Sequence, residues 1–216
     1  MKKIIILALA TITLYSCSTD SGNNSGFEIK GNLSNSKGEA IYLEKLQQSG
    51  VTAIDSATID EKGDFLLNHA SPSVGFYRLR ITSSNFCMLV LDSTQKVTIS
   101  GDARDLGNTF KTEGSPDTKL FSEYNAMAQS QKVRTDSLEN IFRTAMVVMK
   151  LDSVRADSLS KQLQKPYEVM IEQYSQRVAK KVKENSNSFA SIMAIQQLRP
   201  ENYLDIYKLL DKGLTE

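Results

Sequence analysis

Lys111-Thr112-Glu113-Gly114-Ser115-Pro116-Asp117 (KTEGSPD) is where the chain changes character. Before it, apolar runs are short, mostly alternate with polar residues, and meet a turn signal about every ten residues. After it, apolar residues recur three and four apart. Ser115-Pro116-Asp117 has the composition of a helix start, with proline in the first turn. The sequence therefore predicts an α+β chain, with an N-terminal antiparallel β-sandwich over residues 27–114 and a helical region over 115–216.

Working back from that boundary, Thr109–Thr112 and Gln95–Ser100 read as the last strands. Asn85–Leu91 (NFCMLVL) is almost wholly apolar, as in a strand covered on both faces. Gly75–Thr82 (GFYRLRIT) alternates, with Phe76 on one phase and Tyr77, Leu79 and Ile81 on the other. Asp64–Leu67 returns from the turn Asp60-Glu61-Lys62-Gly63, preceded by Val51–Ile59. Ala40–Leu46 follows the turn Ser36-Lys37-Gly38. Phe27–Leu33 (FEIKGNL) opens the set, with Gly31 read as replacing one polar position.

Working forward, Leu120, Phe121, Tyr124 and Met127 begin a helical pattern that Leu138, Ile141, Phe142, Ala145, Val148 and Met149 continue. A second stretch carries Leu151, Val154, Leu159 and Leu163, then Tyr167, Met170, Ile171, Tyr174, Val178 and Val182, which from Leu159 onward share one face. Pro166 predicts a kink or a new helix start. Asn185-Ser186-Asn187-Ser188 punctuates the pattern, and Phe189–Leu198 and Asn202–Leu210 follow as shorter helices around Arg199-Pro200. The reading is an antiparallel hairpin of long helices plus a short helical pair.

The start of the chain is an address. Met1-Lys2-Lys3 precedes an apolar run, Ile4–Leu14, far short of the roughly 20 residues a spanning helix needs. Leu14-Tyr15-Ser16-Cys17 then resembles the bacterial lipobox, which implies cleavage before Cys17 and acylation of its thiol. Residues 1–16 are the expected signal, and 17–26, which continue with the Ser/Gly/Asn-rich stretch STDSGNNSG, a flexible tether. The expected location is the cell envelope, lipid-anchored on the periplasmic side of the outer membrane. The 216-residue chain carries a net charge of +1, which becomes −1 once Lys2 and Lys3 leave with the signal. Such a balance gives no footprint for nucleic acid. With Cys17 acylated, only Cys87 remains, so the mature chain has no intramolecular disulfide.

The residues offer little chemistry. His69, the sole histidine, sits where a strand ends and reads as a surface loop residue. Cys87, inside an apolar run, reads as an inert buried thiol. Asp55, Asp60, Glu61 and Asp64 surround one turn without the spacing of a calcium loop, and read as solvated. Arg177–Lys183 (RVAKKVK) reads as the wet side of a helix, with Val178 and Val182 turned inward. Neither a catalytic residue nor a cofactor or metal site is expected; Cys17 is the one site residue, and membrane lipid its partner.

The strand half resembles a domain of unknown function found in Bacteroidota-type lipoproteins just after the lipidated cysteine. The matching residues are Phe27-x-Ile29-x-Gly31-x-Leu33, Ala40–Leu43, Asp55-Ser56-Ala57, Gly63-x-Phe65, Phe76-Tyr77-x-Leu79, Leu89-x-Leu91-Asp92, Val97-x-Ile99-x-Gly101 and Glu113-Gly114-Ser115, in that order. The helical stretch is similar to the usual continuation. Members commonly run on into a thioredoxin-like domain of the AhpC/TSA type, whose Cys-x-x-Cys pair implies a thiol–disulfide oxidoreductase. This sequence contains no Cys-x-x-Cys, and thiol exchange needs two sulfurs. The leading expectation is a membrane-anchored, non-catalytic binding or scaffolding module that positions a thioredoxin-like domain or binds an envelope protein. The alternatives are the N-terminal part of a longer oxidoreductase and a glycan-binding envelope lipoprotein.

Overall fold

Two four-stranded sheets enclose a hydrophobic core between them. The protein is represented by a computed structural model, which describes residues 26–148 and 150–215. The strands are β1 (Gly26–Ser34), β2 (Ala40–Gln47), β3 (Gly50–Thr58), β4 (Asp64–Ala70), β5 (Gly75–Thr82), β6 (Asn85–Leu91), β7 (Lys96–Asp102) and β8 (Lys111–Glu113). A single helical turn, α1 (Leu106–Thr109), precedes β8, in part of the segment read as strand. One sheet has the order β4-β1-β7-β8 and the other β3-β2-β5-β6. The expected α+β class, with two sheets ahead of a helical region, is what the structure shows.

The antiparallel expectation meets one exception. β1 and β7 run parallel, with Ile29 opposite Val97 and Gly31 opposite Ile99. A parallel pair needs a long crossover, and the five strands between β1 and β7 supply it. Gly31 also differs from its reading. It lies on the inward face, where a Cβ would sit 1.9 Å from Cε1 of Phe65. The phenyl ring fills the space that an alternating apolar side chain would occupy, so the gap in the pattern is a packing feature.

β6 is covered on both faces, as its composition predicts. Cys87, Leu89 and Leu91 join the core between the sheets. Val90, fully buried, faces the helices together with Phe76 and Met88. The helices are α2 (Pro116–Val147), α3 (Ser153–Glu184), α4 (Ala190–Ile195) and α5 (Pro200–Thr215). Ser115 caps α2 by accepting the Thr118 N–H at 3.2 Å, and Pro116 opens the helix. The same two residues weld the helix to the sheet. Ser115 Oγ donates to the Val90 carbonyl at 2.8 Å, and the Val90 N–H donates to Thr118 Oγ1 at 2.9 Å. β6 is an edge strand, and these side chains satisfy backbone groups that no neighbouring strand reaches.

α3 runs unbroken through Pro166, so that residue is neither a boundary nor a start. Proline removes the N–H that would bond the Gln162 carbonyl. Both residues are exposed, so the freed acceptor stands at the solvent-facing surface. The helical core is built from Phe121 and Tyr124 of α2, Tyr174, Val178 and Val182 of α3, and Ala194, Leu198, Ile206 and Leu210 beyond. Among the described residues, none of 129–173 joins that core.

Candidate functional site: the helical arm

α2 and α3 are each 32 residues long, about 48 Å at 1.5 Å per residue. Only their ends nearest the sheets enter the helical core, so the rest of the hairpin projects as a two-helix arm. Within it a narrow seam is buried, including Gln131 and Ala145 of α2 and Ala156 and Met170 of α3. An amphipathic helix carries an apolar stripe at least about 100° wide. One neighbouring helix cannot cover such a stripe, so its flanks stay open on both sides of the seam.

The wider flank is an open groove of about 1000 Å³. Val133, Asp136, Ser137, Asn140, Ile141 and Thr144 form its α2 wall, at helical spacing. Leu151, just ahead of α3, and Arg155, Ser158, Leu159 and Gln162 of α3 form the other wall. The opposite groove, about 390 Å³, lies between Leu138 and Phe142 on one side and Leu163 and Tyr167 on the other. Of twelve exposed large apolar residues among the described ones, eight lie between Val133 and Val169. Val147, Val148 and Val154, at 69%, 72% and 77% exposure, crowd the tip. Singly scattered apolar residues are ordinary on a surface, whereas a concentration marks a contact site.

Periodicity places Leu159, Leu163 and Tyr167 on one face but does not say what lies against that face. Tyr167 is 43% exposed, and Ile141, read with the core pattern, is half exposed. The available signal was length: two helical runs of this size exceed what a sandwich of residues 27–114 can cover.

A second grouping went unread in the sequence. On the outer face of the sheet, Glu44 of β2 is 6% exposed and accepts from Arg78 Nε at 2.5 Å and Arg80 Nε at 2.6 Å, both on β5. Arg78 stacks on the Phe86 ring at 4.9 Å and Arg80 on Tyr42 at 4.5 Å. Burial pulls the Glu44 carboxyl upward, but the hydrogen bonds and charges of Arg78 and Arg80 outweigh it and hold its pKa below the usual value. The carboxylate is covered by the arginine side chains themselves, in a cross-strand ion cluster.

The residues singled out from sequence do not converge. Cys17 lies outside the described residues. Cys87 is 3% exposed, and burial pushes its thiol pKa far above the ordinary range. His69 lies within β4 rather than in a loop, half-buried, its ring 5.8 Å from that of Phe27. The strand extends past the point where its alternation fades because β1 continues to pair with it, Phe27 opposite His69. Asp60 organises its turn, accepting from the N–H groups of Lys62 and Asp64 at 2.8 Å each. Among the described residues, no group of three or more His, Cys, Asp or Glu could hold a metal ion. In Arg177–Lys183, Val178 and Val182 are buried as expected, and Lys181 reaches Glu123 of α2 at 2.6 Å. No described helix is long and apolar enough to cross a membrane.

Residues 27–121 match the family described as "Domain of unknown function (DUF4369)". The match spans both sheets and ends in the first turns of α2. The arm lies entirely beyond it. No curated protein matches the chain.

Proposed function

We propose that the chain is a membrane-anchored lipoprotein of the cell envelope, tethered through Cys17, whose folded part is a binding or scaffolding module that uses the helical arm as its contact surface. The observation that carries the binding half is the concentration of exposed apolar side chains on an arm standing outside the helical core. The lipobox-like Leu14–Cys17 and the polar tether after it support the anchoring half. Acyl chains contribute about 0.8 kcal/mol per buried methylene, and two or more chains hold a protein at the membrane.

Each half has its own test. Cys17→Ser is expected to abolish palmitate labelling and move the protein out of the membrane fraction; unchanged labelling refutes the anchor. Replacing Val147, Val148 and Val154 by Lys is expected to remove the proteins co-purified from envelope membranes while leaving the circular dichroism unchanged. An identical set of co-purified proteins refutes the arm as the contact surface.

A further inference from the structure

We propose that the arm is hinged: α2 and α3 bend together at a band formed by Gln131–Thr135 and Pro166, so that the outer part of the hairpin swings on the body that carries the two sheets.

A packed pair of helices bends only where both are weak at the same height, because an intact helix splints the one beside it. α2 is weak at this band in three ways. Residues 129–137 (QSQKVRTDS) contain one apolar side chain, Val133, and it is 59% exposed. The apolar stripe that holds α2 to its neighbour is therefore interrupted between Ala128 and Leu138. What the gap buries instead is Gln131, 6% exposed, whose amide nitrogen and oxygen both lack a hydrogen-bond partner. A buried unpaired amide opposes close packing at that point. One turn further on, the Thr135 hydroxyl donates to the Gln131 carbonyl at 3.0 Å, a back-bond that slightly destabilises a helix and favours bending.

α3 is weak at the matching height. Measured from the helix ends at the tip, Val147 and Ser153, Thr135 and Pro166 stand about 18 and 20 Å away. Pro166 has no N–H for the Gln162 carbonyl, and proline is the usual site of a sharp helix kink. None of residues 157–169 is buried, so no core packing compensates for the lost bond.

On either side of the band the hairpin is firmer. Towards the body, Tyr124 and Tyr174 sit in the helical core, and Lys181 pairs with Glu123 at 2.6 Å. Towards the tip, Leu138, Phe142, Leu159 and Leu163 are partly buried, and Ala145 and Ala156 are buried. Two better-packed segments joined across a poorly packed one make a hinge, since local opening begins where buried contacts are fewest. α3 is continuous through Pro166 in the structure, which is one position of the swing. A bend of about 20° at the band carries the tip about 7 Å sideways. The sheets and the helical core stay in place while the exposed valines at the tip sweep an arc.

Distances between pairs of spin labels in frozen solution test this on the full chain carrying Cys17→Ser; Cys87 is buried and takes no label. One label sits at the tip on Ser153→Cys and the other on the body, at Thr98→Cys in one sheet or Ala53→Cys in the other. These positions are all exposed, and using both sheets lets a swing in any direction change at least one distance. Thr98→Cys with Lys208→Cys measures the body alone, and Glu139→Cys with Ser153→Cys the arm beyond the band. The wider of the two tip-to-body distributions is expected to be at least about twice as broad as either control. Pro166→Ala returns an N–H to the Gln162 carbonyl, and Gln131→Leu fills the gap in the stripe. Each is expected to narrow the tip-to-body distribution, and the two together to bring it close to the width of the controls. Tip-to-body distributions no broader than the controls overturn the hinge, as does a width that neither substitution reduces. An arm control as broad as the tip-to-body pair overturns it too, because the arm then frays rather than bends. The measurement needs no partner, so its outcome is independent of the co-purification test above.

Discussion

Replacing Glu44 with Gln removes a charge from between two arginines without changing the volume of the side chain. Arg78 and Arg80 lie two residues apart on one strand, so their side chains rise from the same face about 7 Å apart. Each donates through Nε to a different oxygen of Glu44. The amide keeps one acceptor and turns its NH2 towards the other guanidinium, so one bond weakens and one becomes a donor–donor contact. Hydrogen bonds to charged groups contribute about 1.5–3 kcal/mol each. The arginine side chains are 24% and 22% exposed, so water refills part of the loss and the lower end applies. The expected cost is about 2–3 kcal/mol, including the repulsion left between two unneutralised cations. Urea unfolding at pH 7 and near pH 3 reads it. The folded-state pKa of Glu44 is lowered, so its contribution is full above the unfolded value near 4.3 and is lost as pH falls through the folded value. The gap between wild type and variant must therefore narrow in acid. A cost under about 0.5 kcal/mol at pH 7, or an equal cost at both pH values, refutes the ion cluster as a stabilising element.

Three further outcomes follow from other contacts. Thr118→Val strands the Val90 N–H at the sheet–helix weld; a loss of about 1–3 kcal/mol is expected, with faster amide exchange at Val90 than at Leu79 as the local readout. Gly63→Ala must place a Cβ 2.3 Å from the Leu33 carbonyl oxygen at a φ of +88°; thermal unfolding should show a loss of about 2 kcal/mol or more, and a neutral result would mean that this turn relaxes freely. Gln131→Leu replaces a buried amide whose two polar atoms have no hydrogen-bond partner; a gain of about 1–2 kcal/mol in urea unfolding is expected, and a loss would show that the amide has found one.

Local pattern was enough for much of this molecule. Strand alternation, the cap at Ser115-Pro116 and the double-faced apolarity of Asn85–Leu91 follow from steric and burial rules acting within a few residues. The boundary between sheets and helices was legible for the same reason. Long-range pairing was not. That β1 lies parallel to β7 and that Gly31 faces the ring of Phe65 depends on partners thirty to seventy residues away, which no window along the chain can see. Arg78 and Arg80 lie 34 and 36 residues from Glu44, and only strand register turns the three into one ion cluster.

By itself, the sequence determined which side chains share a face, where helices start, and that Cys17 follows a lipobox-like stretch. Only the tertiary structure decided which of those faces receive a covering layer. Hydrophobic periodicity is a property of one element, whereas burial is a property of two, so the open grooves on either side of the α2–α3 seam appear only when the neighbours are in place.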